Sequence, residues 1–140
     1  MSEYIITQLS IFVNNEPGRL AGIANVLKEC KVNMKACNLA ESTEFGILRA
    51  IVDNPDEAFD KVRSKGIIVK KTDVIGVSIT DTPGSMFDAA DVLGRAGINI
   101  EYGYACTGCS EALILRVNDP ERAVKVLKEA NIKMVSKAEI

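Results

Sequence analysis

The chain has 140 residues, 47% of them hydrophobic and 26% charged, a balance expected of a soluble globular protein of one ordinary domain or two very small ones. With 17 basic and 19 acidic side chains the net charge is −2, which excludes a basic field for nucleic acid and a polybasic membrane patch. No apolar run approaches the ~20 residues of a membrane span, and Met1-Ser2-Glu3-Tyr4 lacks the basic-then-apolar layout of a secretion signal, so a cytoplasmic location is expected.

In chain order, Leu9, Ile11 and Val13 alternate with Gln8, Ser10 and Phe12, the period of a half-buried strand. Pro17 fits the first turn of a helix, where its missing N–H costs nothing, and Leu20, Ile23, Ala24 and Leu27 then share one helical face. The helix ends near Cys30-Lys31. A second strand follows over 32–40, then a hairpin, then a third strand over 46–53 with Leu48, Ala50 and Val52 on one face and Arg49 on the other. Pro55 opens a second helix carrying Ala58 and Val62, and a last strand covers 67–72.

The same series then recurs. Glu16-Pro17-Gly18-Arg19-Leu20 matches Thr82-Pro83-Gly84-Ser85-Met86 at an offset of 82 − 16 = 66, and Val32-Asn33-Met34 falls on Ile98-Asn99-Ile100. Asn54-Pro55-Asp56 matches Asp119-Pro120-Glu121 at 119 − 54 = 65, so one residue is lost between Asn99 and Asn118, in the hairpin. The inward strand residues become Ile75, Val77 and Ile79, and the helix face becomes Met86, Ala89, Ala90 and Leu93, ending at Ala96-Gly97. Strands are expected over 98–105, 111–118 and 132–137, with Leu113, Leu115 and Val117 inward, Arg116 outward, and a helix opened by Pro120 that buries Ala123 and Leu127.

The order β-α-β-β-α-β, twice, predicts an α+β fold of two ferredoxin-like repeats, residues 1–72 and 73–140, each an antiparallel sheet with its helices on one face. No Gly/Ser/Pro-rich linker separates them. The other sheet face carries Gln8, Ser10, Lys35, Arg49 and Ile51, a mixed set expected to meet solvent or a partner, with Arg49 and Arg116 solvated. A repeat this small buries little core alone, so the copies are expected to share an interface and the chain to dimerise.

The residues Asn15-Glu16-Pro17-Gly18-Arg19-Leu20, a helix, and then Lys31-Val32-Asn33-Met34 resemble an ACT domain. Asp81-Thr82-Pro83-Gly84-Ser85-Met86, followed by Ala96-Gly97-Ile98-Asn99-Ile100, resembles it more closely. The family pattern is an acidic or amide residue, one residue, Pro-Gly, a helix, and then Gly-Ile-Asn-Ile. The resemblance spans essentially the whole chain. It implies a stand-alone regulatory protein that binds a free amino acid, without catalytic activity or cofactor, as a homodimer whose units pair through strand edges. It places the ligand at interfaces between units, with Asn15, Gly18, Arg19 and Leu20 meeting Asn33 and Met34 of a neighbouring unit, and Asp81, Gly84, Ser85 and Met86 likewise meeting Asn99 and Ile100. The resemblance extends to regulatory subunits of amino-acid biosynthetic enzymes, including the small subunit of acetolactate synthase, so docking on a metabolic enzyme partner is the alternative it implies.

The chemistry of those residues suits an amino acid. A helix start offers unpaired N–H groups to a carboxylate at Gly18 or Gly84, where the absent Cβ lets a ligand approach. Asn15 or Asp81 would accept hydrogen bonds from the ammonium, Asp81 with charge assistance. Blander readings stand beside these. Pro-Gly after a polar residue is an ordinary way to begin a helix, and Thr82 is a good N-cap. Asn33 and Asn99 suit turns, and the helical spacing of Leu20 and Met86 suits core residues.

Cys106-Thr107-Gly108-Cys109 has the spacing of a redox pair or of half a metal site. It falls in a hairpin, no His is present, and Cys30 and Cys37 lie on different elements with Ala96 and Gly103 as repeat partners. Structural thiols are therefore the first reading and no metal site is assigned. A thiol-based metal or redox sensor through Cys106 and Cys109 is the alternative. The lack of His removes the commonest general base, and no Gly-rich phosphate loop or nucleophile motif appears, so no enzyme activity is expected.

Overall fold

The computed structural model describes all residues except 1, 42–44, 80–82, 107 and 110. Its elements are β1 (Ile5–Asn14), α1 (Arg19–Glu29), β2 (Met34–Glu41), β3 (Phe45–Val52), α2 (Pro55–Ser64), β4 (Val69–Ser78), α3 (Ser85–Arg95), β5 (Ile100–Cys106), β6 (Ala112–Val117), α4 (Pro120–Glu129) and β7 (Met134–Val135). They fall into two units, Thr7–Thr72 and Asp73–Ile140, the latter joined by the N-terminal segment through Ile6. The fold is the expected tandem of ferredoxin-like repeats, with antiparallel pairing throughout the described ladders.

In the unit Thr7–Thr72, β3 lies between β1 and β2. Leu9 opposes Ala50 and Asn14 opposes Phe45 on one side, while Met34 opposes Val52 and Glu41 opposes Gly46 on the other. The alternation of β1 buries Leu9, Ile11 and Val13. Ile11 and Val13 pack with Leu27, Leu48 and Val62, and Leu9 packs with Ala50, Val52 and Ala58. In the other unit β6 lies between β4 and β5, and β7 adds to β4 with Val77 opposite Met134. Ile75, Val77, Leu93, Leu115, Val117 and Leu127 form the centre of its core.

Several expectations are corrected. The last strand of the first repeat and the first strand of the second form one strand, β4. The final strand shrinks to two residues, because Ser136 begins a 3-10 turn closed by its N–H donating to Glu139 Oε1 at 3.0 Å. Pro17 and Pro83 stand before their helices rather than in the first turn. The caps are Gly18 and Gly84, at φ 84° and 94°, a left-handed conformation that no helix can include and that glycine adopts without strain. Pro55 and Pro120 do open α2 and α4. Leu20 and Met86 are not core residues, being 41% and 58% exposed.

The mixed sheet face is buried in part, with Lys35 and Arg49 half-exposed. Gln8, Ser10 and Ile51 are buried within the chain. Gln8 Nε2 donates to Ser10 Oγ at 3.1 Å, and Ser10 Oγ meets Thr72 Oγ1 at 3.0 Å, so the buried polar groups satisfy one another. The two arginines are tied down rather than solvated. Arg49 Nη1 donates to Asn38 Oδ1 at 3.4 Å from the cross-strand position, and Arg116 Nη1 donates to the Asp73 carbonyl at 2.6 Å.

The helices α1 to α4 are each followed by a left-handed residue: Lys31 (φ 57°), Gly66 (81°), Gly97 (74°) and Asn131 (59°). After α1, α3 and α4 the next N–H turns back to the helix, as Val32 to Leu27, Ile98 to Leu93 and Ile132 to Leu127. Lys31 holds with a Cβ the conformation that its repeat partner Gly97 holds without one. Left-handed backbone costs an L-residue roughly 1–2 kcal/mol. Lys31→Gly should therefore raise stability by about 0.5–1 kcal/mol after the extra chain entropy of glycine is deducted. A urea midpoint that rises without a change in slope is the expected result.

Candidate functional site

The turn that ends β1 sets the site. Glu16 N–H returns to the Asn14 carbonyl at 2.8 Å, Arg19 N–H reaches the Glu16 carbonyl at 3.2 Å, and α1 starts with no side chain capping its N–H groups. Beside this helix start lies a groove of 360 Å³ lined by Gly18, Arg19 and Asn14 at its polar end. Its apolar wall comes from Phe12, Ile23, Val26, Ile67 and Ile68. Gly18 and Gly22 line it without side chains, and a Cβ at either would meet nothing within 4 Å. Arg19 Nε rests on Glu16 Oε2 at 3.1 Å with both side chains more than half exposed. Such a pair contributes only ~0–1 kcal/mol, so the guanidinium can exchange it for another carboxylate.

Asn15 and Leu20 line an adjoining pocket of 80 Å³ with Leu39 and Gly46. Asn33 and Met34 are not brought to either. The register places Met34 opposite Val52, at the end of the sheet away from the Asn14–Phe45 pair, so within this unit the two sets of predicted contacts stand at opposite ends. Asn33 has local work there. Its carbonyl accepts from Asp53 N–H at 3.2 Å and its Nδ2 donates to Asp53 Oδ2 at 2.9 Å. Asn99 is held likewise, its N–H donating to Asn118 Oδ1 at 3.0 Å.

The other unit arranges its residues differently. The backbone bond from Phe12 N–H to the Ile68 carbonyl has its counterpart in Ser78 N–H to the Lys133 carbonyl, which aligns the two repeats position by position. At those positions Ser85 replaces Arg19, Asp88 replaces Gly22 and Lys133 replaces Ile68. On the opposite flank of α3, Met86 and Ile100 line one apolar cavity of 260 Å³. Asp81 and Thr82 lie outside the described residues. Phe12 and the Gly66–Ile68 segment were missed as site residues. Ile67-Ile68 read as the start of a strand, and nothing in that pattern says Ile68 stays 70% exposed.

The chain matches the ACT domain pair over residues 4–140. It belongs to that family. No curated protein matches its sequence. Among solved structures, protein BT0572 from Bacteroides thetaiotaomicron is 32% identical with a TM-score of 0.89, the match covering 99% of this chain and 97% of that one. The regulatory subunit of aspartate kinase from Thermus thermophilus shares the fold at 17% identity and TM-score 0.58, covering 89% and 90%. Aspartokinase III from E. coli, solved in complex with lysine and aspartate, does so at 13% identity and TM-score 0.53, covering 91% of this chain and 31% of that one.

In this ACT pair Cys106 and Cys109 form a disulfide with Cα atoms 5.3 Å apart, and both residues are buried. Cys30 is a buried free thiol and Cys37 an exposed one. Among the described residues no three His, Cys, Asp or Glu side chains gather as a metal site, and no helix is long and apolar enough to cross a membrane.

The Asn33 contact also sets the charge of Asp53. The hydrogen bond from Asn33, then the Lys35 ammonium at 3.2 Å, holds the Asp53 carboxyl below its ordinary value. A lowered carboxylate pKa contributes stability that is present above the unfolded pKa and is lost as pH falls through the folded one. Asn33→Ala should move the Asp53 pKa up toward 3.8, as followed by carboxyl-carbon NMR, and should reduce the part of the stability that acid removes. An unmoved Asp53 titration would mean that Lys35 alone sets it.

Proposed function

We propose that this ACT pair is a regulatory protein that binds a free amino acid, with no catalytic activity of its own. The observation that carries the reading is the first unit's groove, where Gly18 and Arg19 adjoin an aliphatic wall. A free amino acid matches that layout in order. Its carboxylate meets the uncapped α1 start and the Arg19 guanidinium, and its side chain lies along Ile23, Val26 and Ile68. Asn15 and Leu20 border the ligand, and Asn33 and Met34 reach one held by a neighbouring unit. In the second repeat the corresponding set is Asp81, Gly84, Ser85, Met86, Asn99 and Ile100, with the Asp81 carboxylate accepting the ammonium. The functional repeats are 1–72 and 73–140, and the working form is a cytoplasmic homodimer that couples ligand occupancy to a metabolic enzyme.

Two of the structural relatives support a regulatory reading, one being a regulatory subunit and the other a lysine- and aspartate-bound kinase. A thiol-based sensor draws less support. Both sulfurs of the Cys106–Cys109 bond belong to buried residues, and reactive thiols are exposed.

The test is a thermal-shift screen of the full chain against the twenty amino acids, with an external dye because the chain has no Trp. A ligand present at about 100 times its Kd adds ~2.7 kcal/mol and raises Tm by several degrees. Arg19→Ala should then weaken binding by about tenfold, the ~1.5–3 kcal/mol of a charged hydrogen bond less its solvent-exposed share. Asp81→Ala should cost ~1–3 kcal/mol if it holds the ammonium in the second repeat. No response to any amino acid at millimolar concentration would overturn the reading and leave a partner-docking module.

A further inference from the structure

The cavity in the unit Asp73–Ile140 is lined by Met86, Ala89, Ala90, Ile100, Gly103, Leu113 and Leu115, with no charged or hydrogen-bonding side chain among them. Met86 and Ile100 sit on different elements, α3 and β5, yet open onto the same space.

The repeat explains why the space exists. At the equivalent positions the first repeat has Ile23 where the second has Ala89, and Cys37 where the second has Gly103. Only Leu115, in place of Ala50, gives volume back. Gly103 opposes Leu115 across the ladder. A Cβ there would come within 2.8 Å of Leu115 Cδ2 and 3.0 Å of the Ile114 carbonyl, so Leu115 takes up the room at Gly103 and the exchange of Ile23 for Ala89 is what leaves space. Met86, at the mouth, is 58% exposed, and its flexible thioether can fold over whatever enters.

We infer that this cavity receives the aliphatic side chain of the bound amino acid, so that the ligand of the second repeat is of the leucine, isoleucine or valine class. The inference rests on the amino-acid reading above and narrows it. At 260 Å³ the cavity falls below the ~300–1,000 Å³ of sites that hold drug-sized molecules. It suits one side chain of a few carbons. A carboxylate, amide or ammonium placed there would give up its water and find no partner, which disfavours polar amino acids. An aliphatic group gains from every contact and asks for no directed bond.

The experiment is a calorimetric titration of the full chain with L-leucine, L-isoleucine, L-valine, L-lysine, L-aspartate and L-glutamine, repeated on Ala90→Leu. Ala90 is exposed on α3 and leucine is a good helix former, so the variant should fold, which the Tm without ligand verifies. Met86→Ala provides a second variant at the mouth. The inference expects the aliphatic three to bind at least tenfold tighter than the polar three, and Ala90→Leu to lose at least tenfold in leucine affinity. Tightest binding by a polar amino acid, or leucine affinity unchanged in both variants, overturns the inference while leaving the amino-acid reading in place. Binding by none of the six amino acids, nor any of the twenty in the thermal screen, overturns both. A changed oligomeric state in Ala90→Leu with leucine affinity intact also overturns it, and gives the cavity to a second copy of the chain.

Discussion

Strand register is the constraint on which the rest of this structure depends. Because side chains alternate with a period of two, Leu9, Ile11 and Val13 can face the helices only in one pairing, and a one-residue slip would turn all three outward. That pairing sets Asn14 opposite Phe45 and Met34 opposite Val52. The Pro-Gly turn and helix start therefore come to one end of the sheet, and the Asn33–Asp53 pair to the other. In the second repeat the same logic puts Ile100 opposite Val117 and leaves Gly103 facing Leu115. That register brings Ile100, Gly103, Leu113 and Leu115 together with Ala89 and Ala90 of α3 around the apolar cavity.

Much of this could be read from residues alone, for a physical reason. Element order, the repeat and the helix ends depend on local patterns: a two-residue period, a helical stripe, and Lys31 and Gly97 at matching positions. These patterns act within a few residues and leave marks in the sequence. The helix starts were less plain. Pro17 suits a first turn, but Gly18 at positive φ moves the start two residues on. The partner of Ser10 was not legible, because Thr72 lies 62 residues along the chain. The groove residues Ile67 and Ile68 were hidden for the same cause, since exposure is decided by what packs alongside. The family resemblance sets Asn15 of one unit against Asn33 of a neighbouring one, and within a unit the register holds the two ends of the sheet apart.

The two repeats share a fold and differ in their chemistry. The first keeps a cation at its helix start and a groove with glycine at Gly18 and Gly22. The second keeps Gly84 for Gly18, replaces Arg19 and Gly22 with Ser85 and Asp88, and opens an apolar cavity on the other flank of the helix. Duplication followed by this kind of divergence allows one scaffold to present two unequal sites. A ligand that favours one arrangement of such units shifts the population toward it by its difference in affinity, with no chemistry performed.

The central claim is that a free amino acid seats at the helix starts and the space beside them. Amide NMR shifts of the isotope-labelled chain, followed through a leucine titration, test this most directly. The account predicts saturable shifts at Gly84–Ala90 and Ile100–Gly103, with any second set at Gly18–Ile23 and Gly66–Ile68. Saturable shifts confined to the Asn33–Asp53 end of the sheet, or no saturable shift with leucine or any other amino acid, would contradict it.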